Sequence, residues 1–332
     1  MIDIISLPFM QRALLAAMMS GLISPAIGTW IVQRRMSLLG DGLGHVAIAG
    51  VGLAFLTGTS PLPLAVGVTI AGAVLVEYLR QKGRATGDVG LAVLFYGGLA
   101  SGVLMAGLAG QGAGALSQYL FGSLTTVTST DLWTVAILAI VVLVPSIGLA
   151  PQLFAVSADE EYARAQGLPV RALNMLIVVL AAITVTISMR TVGLLLVSAM
   201  MVIPVATAQH VFGSFRASHL GGLAIGGAVA VLGTLGSYQF DSASGATIVV
   251  FAIAVFVLSL PLSALLHRHS PGEPEPVEDD DDHVVAESDS PHHDLHAHDP
   301  ECEHPAILHE DHVDYLHDGH RHAPHGDHFD EH

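Results

Sequence analysis

The sequence predicts an all-α polytopic membrane protein of about nine transmembrane helices, followed by a disordered histidine-rich tail. Three observations carry that prediction. The 332-residue chain is 52% hydrophobic and only 12% charged, too apolar for an ordinary soluble domain. Its apolar residues fall in nine stretches, at about 10–32, 38–57, 61–79, 88–108, 131–150, 172–189, 191–209, 220–238 and 245–266. Each is near the roughly 20 residues that cross a hydrocarbon core about 30 Å thick. Finally, the charge is segregated. Residues 270–332 hold 20 acidic residues and one basic residue, Arg321, whereas residues 1–269 hold 9 acids and 11 bases. The chain thus divides into a transmembrane domain, 1–269, and an acidic tail, 270–332.

The elements follow in order. The run Ala13–Ile31 has only Arg12 before it and is followed by Arg34-Arg35 and further spans. It therefore reads as a first transmembrane helix that is kept, not as a signal peptide. The second span lies in "RRMSLLGDGLGHVAIAGVGLAFL", 34–56, which places Asp41 and His45 in an otherwise apolar run. The segment "AGQGAGALSQYLFGSLTTVTST", 109–130, is too polar and glycine-broken to span, and predicts a connection with a short interfacial helix around Leu116–Leu124. After the fifth span, "SADEEYARAQGLPVRALNM", 157–175, has an acidic start, small residues, a stop at Gly167 and then Pro169. Those are the signals of a short helix, well placed to dock a partner. Pro204 falls inside the seventh span and frees a backbone carbonyl. Closely spaced glycines (Gly40 and Gly44, Gly222 and Gly226, Gly233 and Gly236) let helix backbones approach in lipid, where no hydrophobic force drives association.

With the N-terminus outside, the cytoplasmic segments carry Arg34, Arg35, Arg80, Lys82, Arg84, Arg164, Arg171, Arg216, Arg268 and Arg321, and the outside keeps Arg12 and Arg190. That bias sets the orientation and places the tail in the cytoplasm. The single lysine, Lys82, is followed by Gly83 and lacks a glycine-rich loop before it. A P-loop is therefore excluded, and any ATP hydrolysis that drives the protein belongs to another chain. No HExxH and no Ser/His/Asp arrangement supports a hydrolase. One cysteine, Cys302, excludes an internal disulfide framework. The scarcity of basic residues speaks against nucleic acid.

Asp41 and His45 stand at i and i+4, on one helix face. Ionisable residues inside spans usually face a pathway, and a carboxylate with an imidazole suits a borderline divalent ion. A structural reading stands beside it: Asp41 lies in the first turn, where it favours the helix dipole or pairs with Arg34 or Arg35. Glu77, Asp88, Asp131 and Asp241 all lie at span ends, where solvation or capping accounts for them. Among these, Asp241 in "DSASGAT" could form a polar external mouth.

These residues resemble a known family, the permeases of zinc/manganese ABC importers. "RRMSLLGDGLGHVAIAGVGLAFL" is similar to the family's second-helix signature, "LSQYLFGSLTTVTSTDL" to its central loop, and "DEEYARAQGLPVRAL" to the cytoplasmic loop that couples to the ATPase. "MRTVGLLLVSAMMVIPVATAQ" and "DSASGATIVV" resemble its later helices. The resemblance covers most of residues 10–266. It implies a type II importer-like permease bundle in the bacterial inner membrane, working as a homodimer with two ABC ATPase subunits and an extracytoplasmic metal-binding protein. It implies inward transport of Zn2+ or Mn2+, with no permanently bound cofactor and ATP held on the partner subunit. Asp41 and His45 match the family's transport-path positions, and Glu161, Ala163 and Gly167 match its coupling loop, from which Tyr162 and Arg164 depart.

The tail lies outside that resemblance. Its "HHDLHAH" and "HDGHRHAPHGDH" supply His292, His293, His296, His298, His317, His320, His322, His325 and His328. Low apolar content and high acidity predict disorder. Histidine with carboxylate favours zinc, copper or nickel over manganese, so the tail reads as a cytosolic metal buffer or sensor. Two alternatives remain for the whole chain: an ion-coupled transporter with Asp41 as proton carrier, and a membrane metal sensor.

Overall fold

The computed structural model describes residues 7–82, 87–111, 113–122 and 127–266, and in the tail 306–309, 312–317, 320–325 and 328–331. The chain forms two units, Met1–Arg268 and His269–His332.

The described residues of the first unit are organised by helices: α1 (Pro8–Gln33), α2 (Leu39–Thr57), α3 (Pro61–Gln81), α4 (Gly87–Leu108), α5 (Ala113–Phe121), α6 (Ser129–Gly148), α7 (Ala150–Ala158), α8 (Glu160–Ala165), α9 (Val170–Val192), α10 (Leu194–Val211), α11 (Phe215–Gln239) and α12 (Ser244–Leu266). Each expected span coincides with one long helix. Among the described residues, eight helices have the length and composition to cross a membrane, and α4 adds the apolar stretch Ala92–Leu108. The expected interfacial helix is α5, shifted a few residues toward the N-terminus. The expected short helix after the fifth span is α8, and α7 precedes it as a further helix the sequence did not separate. Asp159 separates them because its backbone is extended, with φ −146° and ψ 107°.

Helix ends follow local chemistry. Proline opens α1, α3 and α7 within their first two positions, where its missing N–H leaves no bond unmade. Thr128 and Asp131 form a reciprocal capping box at α6: Thr128 Oγ1 accepts from the Asp131 N–H at 3.2 Å, and Asp131 Oδ2 accepts from the Thr128 N–H at 3.1 Å. The break between α9 and α10 falls at Gly193, with φ +89°. Its backbone rests on that of Gly122, and a Cβ on either glycine would run into the other's main chain. This contact seats the end of α5 on the α9–α10 joint.

Helix α2 is the most enclosed span, 78% of its most apolar window being buried, and α1 and α9 follow. It packs against α3, α4, α9 and α10. By contrast α3, α6 and α12 are each only 22% buried in the same measure, and show Leu75, Trp133, Ile137, Ile140, Val250 and Val257 outward. An apolar exterior around helices that satisfy their own backbone is what a bilayer requires. The segment with an acid and an imidazole therefore occupies the protein's interior, not its lipid face.

The second unit is described only along four short backbone segments. Four strands, β1 (Ala306–His309), β2 (His312–His317), β3 (His320–His325) and β4 (His328–Glu331), form an antiparallel sheet in sequential order. Ile307, Leu308, Val313, Tyr315, Leu316 and Phe329 all fall in these strands, and the dipeptide between β2 and β3 is Asp318-Gly319, a favoured two-residue hairpin connection.

Candidate functional site

Asp41 stands in the first turn of α2, whose N-cap residue, Leu38, supplies no side-chain cap. The chain reaches it through a tight connection in which Arg35 has φ 55° and Met36 is buried. One turn further on, His45 is 9% exposed. Its Nδ1 lies 2.8 Å from the Asp41 carbonyl oxygen. A carbonyl only accepts, so Nδ1 carries a proton, and in the neutral ring Nε2 is the nitrogen with the lone pair. That is the tautomer a metal-binding imidazole needs, with its orientation fixed by the other nitrogen. The ring also packs on Phe95 of α4, centroids 4.0 Å apart. Behind it, α4 comes so close that a Cβ on Gly98 would lie 2.6 Å from the His45 carbonyl carbon.

The arginines that could have neutralised Asp41 are otherwise engaged or distinct from it. Arg34 Nη2 lies 3.6 Å from Glu77 Oε1 and 3.5 Å from Glu160 Oε1, and no ion pair to Asp41 forms among the described residues. The pairing explanation of Asp41 therefore loses its first candidate partner, while the dipole explanation stands. In the helical unit, among described side chains, no group of three or more His, Cys, Asp or Glu gathers around a common point. One chain thus offers Asp41 and His45 as a two-donor set.

The same end of the bundle holds a buried ionic network that sequence reasoning missed. Arg80 donates to Glu77 through Nε at 3.0 Å and Nη2 at 3.1 Å, and to Glu160 Oε1 at 2.8 Å. Gln81 donates to Glu77 at 3.0 Å and Asn174 to Glu160 at 2.9 Å. The side chains of Arg34 and Glu77 are 4% and 0% exposed. Two guanidinium groups and two carboxylates balance. Burial pushes the Glu160 carboxyl up, but the Arg80 hydrogen bond and charge, Asn174 and Arg34 together hold it below the usual carboxylate range. Sequence reasoning placed Glu77 among solvated span ends and Glu160 in an acidic patch. The available signal was charges of both signs at the ends of several spans expected on one membrane face.

Glu160 is the first residue of α8, so the network fixes that short helix to the ends of α1, α3 and α9. Asp159 caps it, accepting from the Glu161 and Tyr162 N–H groups at 2.8 and 2.9 Å. Ala163 is fully buried beneath it. Gly167, at φ +80°, ends it, with Gly167 N–H donating to Arg164 O and Leu168 N–H to Ala163 O, the paired bonds of a Schellman stop. Glu161 and Tyr162 remain exposed. Of the three residues matched to a coupling loop, one faces out, one packs in and one makes the turn.

At the other end, Arg190 pairs with Asp131 at 3.4 Å. Asp241, at φ 47°, borders a cavity of about 500 Å³ lined by Ser237, Tyr238 and Ser242 and, on its apolar side, by Phe9, Met10 and Phe121. Asp88 and His292, His293, His296 and His298 lie outside the residues whose side chains are described. His317, His320, His322, His325 and His328 lie on the strands of the tail sheet. A second missed feature is His219 of α11, buried, with Nδ1 3.0 Å from Thr29 Oγ1 of α1.

The sequence profile of the ABC 3 transport family matches residues 6–263. The chain is 32% identical over 275 residues to the manganese transport system membrane protein MntC of Halalkalibacterium halodurans, covering 82% of this chain and 94% of that one. It is 30% identical over 249 residues to the high-affinity zinc uptake system membrane protein ZnuB of Haemophilus influenzae, covering 75% and 95%. Among solved structures, PsaBC from Streptococcus pneumoniae in complex with Fab superimposes with a TM-score of 0.68 at 30% identity, over 78% of this chain and 93% of that one.

Proposed function

The chain belongs to the ABC 3 transport family, and from that premise we propose that it is the membrane-spanning permease subunit of an ATP-binding cassette importer for a divalent metal ion, zinc first and manganese next. The observation that carries the reading is the Asp41–His45 pair. An acid free of Arg34 and an imidazole with its Nε2 lone pair available sit on the most enclosed helix. Relatives named for manganese and for zinc support the ion class. An oxygen and a nitrogen donor suit both metals, and the histidine-rich tail inclines the choice toward zinc.

The ion is cargo. Asp41 and His45 hold it transiently, weakly enough for it to leave. Two donors are fewer than zinc's usual four, and a homodimer that brings two such pairs together supplies them. The ATPase subunit docks on the exposed side of α8, at Glu161, with Ala163 seating the helix and Gly167 ending it. An extracytoplasmic metal-binding protein delivers the ion from the opposite face. The permease crosses the bacterial inner membrane with its N-terminus outside and the tail in the cytoplasm. There the tail buffers or senses metal, so that deleting 270–332 changes zinc uptake or its shut-off by internal zinc.

Reconstitution with the ATPase in proteoliposomes tests the reading. Zinc uptake should require ATP and be competed by manganese less than by unlabelled zinc. Uptake that persists without ATP and follows a proton gradient would instead establish the ion-coupled alternative.

A further inference from the structure

A cleft of about 630 Å³ opens where the end of α6, the start of α7 and the first turns of α11 meet. Its walls are mostly apolar, Ile147, Pro151, Phe154 and Leu220 among them, and Arg216 and His219 are its charged or titratable members. The floor is held in one shape. The rings of Phe154 and Phe215 lie 4.4 Å apart. Phe215 and His219 both pack on the buried Trp30 of α1, at 5.4 and 5.3 Å. Trp30 Nε1 donates to Ser146 Oγ at 2.8 Å, and that hydroxyl donates to the Ala26 carbonyl at 2.7 Å. The Thr29 hydroxyl donates to the Pro25 carbonyl at 2.9 Å, so it accepts from His219 Nδ1 at 3.0 Å. Hydrogen bonds to two other helices thus fix the aromatic floor, and a ligand would find the cleft already formed.

Two observations say what covers it. The first is its side of the bundle. Helix α6 packs against α1, α7 and α9, and α11 against α1, α10 and α12, whereas α2 packs against α3, α4, α9 and α10. A homodimer that joins two Asp41–His45 pairs therefore has no need of this face. Along α6, Trp133, Ile137, Ile140, Val144 and Ile147 all point outward at intervals of four and three residues. That stripe runs from the lipid-facing surface directly into the cleft. The second observation is charge. Arg216 is exposed, and no carboxylate pairs with it among the described residues. It stands in the first turn of α11, the helix end whose dipole favours an anion over a cation. Basic pockets between spans at headgroup depth take anionic lipid headgroups. A free anion would leave the apolar walls bare, and a neutral lipid would leave Arg216 without a counter-charge.

We propose that this cleft binds one anionic phospholipid, with an acyl chain against Ile147, Phe154 and Leu220 and the phosphate on the Arg216 guanidinium. Helix α7 forms one wall and runs through Asp159 into α8, so an occupied cleft braces the segment that leads to α8. The site depends on the chain lying in a bilayer and not on which ion it carries.

Trp30 reports on occupancy. The chain has two tryptophans, and Trp133→Phe leaves Trp30 as the sole indole. The full chain carrying that change is reconstituted in phosphatidylcholine vesicles. These contain a small fraction of acyl-brominated phosphatidylglycerol, or the same fraction of brominated phosphatidylcholine. Bromine quenches an indole only at short range. Brominated phosphatidylglycerol should reach half-quenching at about one-fifth the concentration, because one arginine near a membrane surface is worth about fivefold in affinity. Arg216→Gln should remove the preference and Arg216→Lys should keep most of it. Arg171→Gln, at the start of α9, should leave it unchanged. Ala150→Phe, which fills the cleft, should reduce quenching by both lipids. Equal quenching by the two lipids in the parent protein, or a preference that survives Arg216→Gln, would overturn the proposal. So would quenching by neither lipid, the result expected of a cleft covered by a second copy of the chain.

Discussion

Glu77→Gln isolates the network that holds α8. The substitution keeps the side chain's shape and removes one buried negative charge. Arg34 then has only Glu160 for compensation, at 3.5 Å and shared with Arg80. Neither Arg34 Nη atom has a hydrogen-bond partner, and both are buried, so the guanidinium depends on carboxylate charge alone. Stranding one member of a buried ion pair costs about 3–5 kcal/mol. For a helical body of this size that corresponds to an apparent thermal midpoint lower by roughly 5 °C or more. Size-exclusion chromatography of the heated, detergent-solubilised protein measures it. The double variant Arg34→Gln/Glu77→Gln removes both partners and leaves Arg80 with Glu160. It should recover more than half of the loss, because absent buried pairs cost far less than broken ones. A wild-type midpoint for Glu77→Gln, or a double variant no better than the single, would refute this account.

Asp41→Asn and His45→Ala should each cut metal uptake at least tenfold while co-purification with the ATPase is unchanged; uptake at the wild-type rate would remove the pair from the path. Gly98→Ala should force α4 away from the His45 backbone and lower uptake more than thermal stability, and a fully active variant would show that the close approach is dispensable. Glu160 has a depressed carboxyl in the folded protein. Its stabilising contribution is therefore complete above the ordinary value near 4.5 and fades as pH falls through the lower folded value. The midpoint should hold from neutral pH to about 5 and then drop, and Glu160→Gln should lose that part of the acid-side decline. An identical pH profile for wild type and Glu160→Gln would contradict it.

The long helices were legible because a bilayer imposes one length and one composition on every span, and neither depends on partners. The start and stop of α8 were legible for a similar reason: Asp159 and Gly167 act on their own backbone neighbours. Asp41 and His45 were visible as anomalies, yet their sequence left the choice between path and cap open. The structure adds the bond from His45 Nδ1 to the Asp41 carbonyl and the engagement of Arg34 with Glu77 and Glu160. Glu77 and Glu160 were misjudged because their meaning lies in pairing with arginines of other elements, Arg80 and Glu160 standing 80 residues apart. An isolated glutamate at a span end looks the same whether water or an arginine from another helix solvates it.

The network also bears on how a push on α8 could reach the Asp41–His45 pair. Exposed Glu161 and Tyr162 lie on a helix whose first residue, Glu160, touches Arg34, Arg80 and Asn174. Arg34 begins the five-residue connection into α2, and Met36 within that connection is buried. Little slack is available there, because a short connection with a packed side chain transmits displacement of one helix end to the next. Asp41 and His45 follow within two turns. A docking helix held only by its own cap could tilt without consequence for α2. One tied through a guanidinium to the entry of α2 cannot move far without either breaking a buried ion pair or carrying that entry with it. Contact alone does not demonstrate coupling. The test lies in the variants already described: Glu77→Gln and Arg34→Gln/Glu77→Gln should both lose ATP-coupled uptake, although only the first loses much stability.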